Sequence, residues 1–231
     1  MELLEVQPER VLAIVAHPDD IEYGAAAAVA KWTAAGADCR YLLATRGEAG
    51  IDGLAPDRAA AVREEEQLAS ARVVGVDVVE FLDYPDGTIE YSVALRRDIA
   101  EAIRRHKPDT VLLFNHRESW GPGARNSADH QALGTAALDA IADAGNRWIF
   151  PGTEKHSVKR AFVAGSTEST HAIDVSTGVD AAIASLSEHR AYLEGLGDHP
   201  MADPEFLRGF LEHTGAAVGV PAALAVEVWN F

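Results

Sequence analysis

The stretch VLAIVAHPDDIEYG, residues 11–24, decides how the rest of the chain is read. Residues 11–16 form an unbroken apolar run, the pattern of a strand buried on both faces of a parallel sheet. The run stops at His17-Pro18-Asp19-Asp20, and a helical stretch over residues 21–35 follows, closed by Gly36. A strand that ends in a polar loop and continues as a helix is the repeating unit of a doubly wound sheet.

The unit recurs along the chain. Residues 40–44 read as a second strand, and residues 57–74, rich in Ala, Glu and Arg, as a helix with Gly75 as its C-cap. Residues 78–82 read as a third strand running into the turn DYPDG. A helix over residues 92–106 ends before Pro108, and TVLLF, residues 110–114, is a fourth buried strand. A polar loop, residues 115–127, then leads to a helix from Asp129. The last third predicts short strands at 161–164 and 172–175, helices over 179–196 and 204–213, and a closing strand at 223–229. The pattern is that of an α/β protein with a Rossmann-like, three-layer, doubly wound, mostly parallel sheet and a C-terminal elaboration. A single domain over residues 1–231 is the simplest account.

Composition narrows the function classes. Hydrophobic residues make up 48% and charged residues 24%, so the chain can bury a substantial core and is not globally disordered. A net charge of −16 excludes nucleic acid and anionic membrane surfaces as natural partners. Cys39 is the only cysteine, so no internal disulfide forms. The N-terminal segment lacks the basic and apolar regions of a signal peptide, and no apolar run approaches the ~20 residues of a membrane span. A cytoplasmic location is expected.

Open parallel sheets bind ligands beyond the carboxyl ends of their strands, where the strand order reverses. With the common order 3-2-1-4 for the first four strands, the loop carrying His17, Asp19 and Asp20 meets the loop leading to Asp129 and His130. Two histidines and a carboxylate, His17, Asp20 and His130, are a ligand set typical of catalytic zinc, although iron(II) uses the same set. Asp19, diverging from Asp20, is then the candidate general base. Taken singly, HPDD also reads as an ordinary helix start and Asp129 as a cap; the convergence of the two loops favours the metal. There is no G-x-G-x-x-G pattern for a dinucleotide.

These residues resemble the PIG-L/LmbE-like deacetylase family, which includes N-acetylglucosaminyl-phosphatidylinositol de-N-acetylases and deacetylases of the mycothiol and bacillithiol pathways. The carrying motifs are AHPDD with Glu22, the TRGEAG stretch of residues 45–50, Arg63 with Glu66, the DYPDG turn, Asp129-His130 and AVEVW of residues 225–229. The resemblance spans nearly the whole chain. It implies zinc held by His17, Asp20 and His130, with Asp19 as base and Asp129 as a tuning carboxylate. The implied reaction is removal of acetyl from an N-acetylated amino sugar or related small molecule. Oligomers are known among relatives, so a homo-oligomer is an expectation by analogy.

One departure bears on catalysis. Many members carry a histidine three residues before the metal-binding one, where it stabilises the tetrahedral intermediate or protonates the leaving amine. Here that position is Ser127, and loss of one such donor can cost about 10²–10³ in rate. His116 and His189 are candidates to replace it; His106, His156, His171, His199 and His213 have no supporting context. Arg63 is a candidate substrate contact or a support for the groups at the site, Trp120 could stack on a sugar ring, and Arg117 or Arg125 could hold a phosphate or carboxylate. Two alternatives stand beside the deacetylase: a hydrolase of the same fold acting on another amide or an ester, and a ligand-binding protein with an attenuated site.

Overall fold

The structure, a computed structural model, describes residues 1–231. In chain order the elements are β1 (Glu2–Leu3), β2 (Arg10–Val15), α1 (Asp20–Gly24), α2 (Ala26–Ala34), β3 (Asp38–Leu43), α3 (Pro56–Val73), β4 (Val78–Phe81), α4 (Val93–His106) and β5 (Thr110–Phe114). A small hairpin, β6 (Ser119–Gly121) and β7 (Ala124–Arg125), precedes α5 (Ala128–Gly145). Then come β8 (Arg160–Ala164), β9 (His171–Asp174), α6 (Val179–Leu186), α7 (Arg190–Gly195), α8 (Phe206–Val218) and β10 (Ala223–Asn230).

Eight strands form one sheet in the order β1-β9-β10-β8-β5-β2-β3-β4. The run β4-β3-β2-β5 is the expected 3-2-1-4 order, and its three pairings are parallel. β8 adds in parallel beside β5, whereas β10 runs antiparallel between β8 and β9. The mixed part of the sheet is therefore the C-terminal elaboration. β1, which was not foreseen, pairs with β9; two residues are too few for an alternation signal.

Helices cover both faces. Val11, Ala13 and Val15 of β2 pack in the cluster that contains Trp32 of α2, Leu186 of α6 and Leu211 of α8. Leu12 and Ile14 pack in the other, with Leu95 and Ile99 of α4 and Leu133 and Ile141 of α5. Successive residues of one strand thus bury on opposite faces, which is why β2 carries no polar residue after Arg10. No helix is long and apolar enough to cross a membrane.

Two expected helices are broken, and both breaks lie near the strand ends. The stretch 21–35 splits into α1 and α2 at Ala25, whose φ and ψ of −150° and 4° are not helical. Gly24 sits against β5 so closely that a Cβ there would lie 2.7 Å from the Phe114 ring. The stretch 179–196 splits at Ser187–His189 into α6 and α7. Helical periodicity does not register such breaks, because the apolar pattern continues through them.

Candidate metal centre

The carboxyl ends of β2 and β5 open on the same side of the sheet, and the loops they feed bring His17, Asp19, Asp20, Asp129 and His130 together. Asp20 is held first by backbone: Ala16 N and His17 N donate to its Oδ2 at 3.1 and 2.9 Å. Its Oδ1 lies 2.9 Å from His130 Nε2, and His130 Nε2 lies 3.3 Å from His17 Nδ1. Donor atoms of His17, Asp20 and His130 all fall within 4.8 Å of one another.

The surrounding hydrogen bonds decide which imidazole nitrogens carry protons. Asn126 Nδ2 donates to the carbonyls of Asn115 and Arg117, so its Oδ1 faces His130 Nδ1, 2.8 Å away. His130 Nδ1 therefore bears the hydrogen. His17 Nε2 lies 3.1 Å from Asp129 Oδ2 and 3.0 Å from Asp86 Oδ1, both acceptors, so its hydrogen is there. In the neutral tautomers this leaves two imidazole lone pairs and a carboxylate oxygen converging on one point. Only a positive charge makes that arrangement favourable, and the residues fit a divalent cation on this ground.

The surrounding carboxylates favour positive charge at this point, whether a proton on His17 or a cation. Burial disfavours a charged His17, yet hydrogen bonds to Asp129, Asp20 and Asp86 outweigh it and hold its pKa well above the usual imidazole value. Burial would raise Asp20, but His130 and then His17 carry it far below the carboxylate range. Asp129 likewise stays low against burial, through His17 and the amides of Ile89 and Gly87. Those amides donate to Oδ1 and Oδ2 at 3.0 and 2.7 Å. His17, Asp86 and Asp129 form a second group of metal-ligating types, in which Asp129 already accepts from two backbone amides and from His17.

Asp19 is 6% exposed and adopts a left-handed backbone, φ 86°. A non-glycine residue there is strained and persists only when its surroundings hold it. Gln67 Oε1 accepts from Asp19 N at 3.1 Å, and Arg63 Nη2 donates to Asp19 Oδ2 and to Pro18 O, each at 2.6 Å. Arg63 Nη1 donates to Gly47 O at 2.9 Å; a Cβ on Gly47 would lie 2.1 Å from that nitrogen, so only glycine fits. Burial pushes Asp19 up to about 6 despite Arg63.

A cleft of about 420 Å³ opens beside this centre, and Asp19, Asp20 and His130 share its lining. The rest is largely apolar, with Phe114, Trp120, Tyr192, Met201, Phe206 and Phe210 as its wall. Trp120 meets His130 edge-on with ring centroids 5.8 Å apart and Phe114 at 4.9 Å, which places this tryptophan in the cleft wall beside the centre.

Several candidate residues stand elsewhere. Arg63 is not in the cleft lining: it is buried beneath Asp19, its guanidinium over the Tyr192 ring at 4.5 Å. His189 is wholly buried at the α6–α7 break, with Nε2 3.5 Å from Glu22 Oε2. It faces the protein interior, so it is not a substrate contact. His116 packs against Gly134 of α5 and stays outside the cleft lining, and burial lowers its pKa. Ser127 is the N-cap of α5, its Oγ accepting from His130 N at 3.1 Å, and it does not line the cleft. Arg125 is exposed on β7 with Glu118 3.5 Å away, and Arg117 is paired with Glu227 and Glu168. Neither arginine lines the cleft.

Asn126, Gln67 and Asp86 were not singled out from the sequence. Gln67 had a signal: Arg63, Gln67 and Ser70 repeat at helical spacing and are all buried, a polar stripe turned inward on α3. Phe206 and Phe210 are likewise an i, i+4 pair. Asn126 and Asp86 sit outside helices and strands, where no periodicity marks them.

Comparison with known proteins adds a separate line. The PIG-L family model, described as GlcNAc-PI de-N-acetylase, matches residues 12–141, more than half of the chain. The chain belongs to the PIG-L family. This PIG-L chain is 29% identical over 190 residues to the diacetylchitobiose deacetylase of Thermococcus kodakarensis, covering 79% of this chain and 70% of that one. It is 41% identical over 168 residues to the 1D-myo-inositol 2-acetamido-2-deoxy-alpha-D-glucopyranoside deacetylase of Kineococcus radiotolerans, covering 58% of this chain and 45% of that protein. The N,N'-diacetylchitobiose deacetylase of Pyrococcus horikoshii, solved with an inhibitor, superposes with a TM-score of 0.84 at 23% identity, covering 96% of this chain and 84% of that one. That likeness shows a shared α/β fold; the named relatives are all deacetylases of N-acetylated amino sugars.

Proposed function

We propose that the chain is a metal-dependent N-deacetylase, a hydrolase that removes acetyl from an N-acetylated amino sugar. The observation that carries the reading is the convergence of His17 Nδ1, His130 Nε2 and Asp20 Oδ1, with the Asp19 carboxyl beside them on the same cleft. These three residues would hold the cation, and zinc fits two nitrogens and an oxygen with one position left open. When bound, such a cation lowers the pKa of water towards ~7 and polarises the acyl carbonyl.

The chain's own residues supply the rest. Asp19 takes the proton of the attacking water, because it lines the cleft beside the three ligand residues and is not itself one of them. It then returns that proton to the departing amine. Arg63 and Gln67 fix the orientation of Asp19; Asp129 and Asn126 fix the tautomers of His17 and His130. With a serine in place of an imidazole at position 127, and His116 and His189 outside the cleft lining, proton delivery falls to Asp19.

The test is amine release from a panel of N-acetylglucosamine derivatives, with zinc-reconstituted protein beside a chelated control. Release that needs the metal supports the reading. Release that survives chelation, or none across the panel with metal bound, overturns it.

A further inference from the structure

The cleft also carries information about the part of the substrate that is not hydrolysed, and this inference rests on the deacetylase reading. None of the residues lining the cleft is a lysine or an arginine. The nearby cations are committed or stand outside the lining. Arg63 is 2% exposed and spends its Nη groups on Asp19, Pro18 O and Gly47 O. Arg117 is held by Glu227 and Glu168, and Arg125 is exposed on the hairpin outside the lining. The one hydroxyl from α1, on Tyr23, donates to Met201 O at 2.7 Å and ties the Pro200–Ala202 turn to the site.

What the cleft offers beyond the metal ligands is aromatic surface. Phe206 and Phe210 stack with centroids 6.4 Å apart, and they remain 43% and 45% exposed although they face a site rather than a core. Trp120, 39% exposed, lines the same cleft. An anionic aglycone seated on this wall would lose its hydration with no lysine or arginine in the lining to replace it, inside a protein of net charge −16. A ring with apolar faces would instead cover aromatic area that is otherwise in contact with water.

We infer that this cleft selects N-acetylated amino sugars whose aglycone is uncharged and ring-bearing, seated on Trp120, Phe206 and Phe210, and discriminates against aglycones that carry a phosphate or carboxylate. The discrimination is repulsive as much as attractive: the fold lacks the cation an anionic aglycone needs.

The experiment compares the phenyl glycoside and the 1-phosphate of N-acetylglucosamine, in one anomeric configuration. Amine release is read with metal-loaded protein, and binding is read separately by Trp120 fluorescence on metal-free protein, with Trp120→Phe as the control. The expected result is a kcat/KM ratio of about tenfold or more in favour of the phenyl glycoside. Phe206→Ala and Phe210→Ala should each reduce that ratio several-fold, chiefly through KM for the phenyl glycoside. Equal or faster turnover of the 1-phosphate overturns the inference, as does a ratio that neither phenylalanine variant changes. If neither compound is hydrolysed but the phenyl glycoside alone binds, the deacetylase reading fails while the preference stands. If neither is hydrolysed and the two bind alike, both fail.

Discussion

Arg63 Nη2 donates to Asp19 Oδ2 across 2.6 Å, with the two side chains 3% and 8% exposed. Burial raises the Asp19 pKa and the guanidinium opposes it, leaving the carboxyl at about 6. Asp19 accepts a proton only when ionised, so activity should fall as pH drops through that value. Arg63→Met removes the opposing charge, so the acidic limb of the kcat–pH profile should move to higher pH; Arg63→Lys should move it less. Breaking a buried pair costs about 3–5 kcal/mol, so the profiles are taken where circular dichroism shows each variant folded. A limb that stays in place in Arg63→Met would remove Asp19 from the role of base.

Asp129 and Asn126 set the tautomers of His17 and His130 without pointing at the metal position themselves. Asp129→Asn and Asn126→Leu should therefore weaken zinc by about 10–100-fold rather than abolish it. Asp20→Asn removes a ligand and should lose the metal more completely. Competition against a chromogenic chelator measures all three. Equal affinities in Asp129→Asn and wild type would mean that His17 is oriented by Asp86 instead.

The buried Glu22–His189 pair should shape stability against pH. Burial opposes charge on Glu22, but His189, Ser70 and Gln67 outweigh it and depress its pKa. Burial likewise opposes charge on His189, and Glu22 outweighs it and raises the pKa. The Glu22 contribution is present above the ordinary carboxylate range and fades as pH falls through the depressed value. The His189 contribution is present below the ordinary imidazole value and fades as pH rises through the raised one. Stability should therefore be greatest between the two. His189→Ala leaves a buried carboxylate unpaired and should cost about 3–5 kcal/mol in urea unfolding. A loss below ~1 kcal/mol, the range of exposed pairs, would show that the pair is solvated.

Ser127 occupies the place where many relatives carry a histidine, yet its hydroxyl caps α5. Ser127→Ala should lower stability by about 1 kcal/mol and leave kcat within about twofold of wild type. A kcat loss of about 10² or more would return Ser127 to the chemistry.

The apolar run 11–16 followed by HPDD, and TVLLF followed by a polar loop, were sufficient to read the parallel half of the sheet and the meeting of His17, Asp20 and His130. Strands buried on both faces leave an unambiguous pattern, and the site follows from where such strands end. Trp120 was legible for a similar reason, as an aromatic in the loop that follows the fourth strand. Arg63 and His189 were legible as unusual residues but not as buried ones. Their positions depend on the packing of α3 against the α6–α7 break, which joins segments more than a hundred residues apart.

The local pattern of the chain, by itself, determined the α/β class, the order of the first four strands and the convergence of His17, Asp20 and His130. Each of these depends on apolar periodicity and on polar residues placed directly at strand ends. Only the tertiary structure decided that Arg63 positions Asp19, that Ser127 is a cap, and that the cleft is aromatic and without a free cation. Those outcomes rest on which distant partner satisfies each buried donor or charge, and no property of a single segment carries that information.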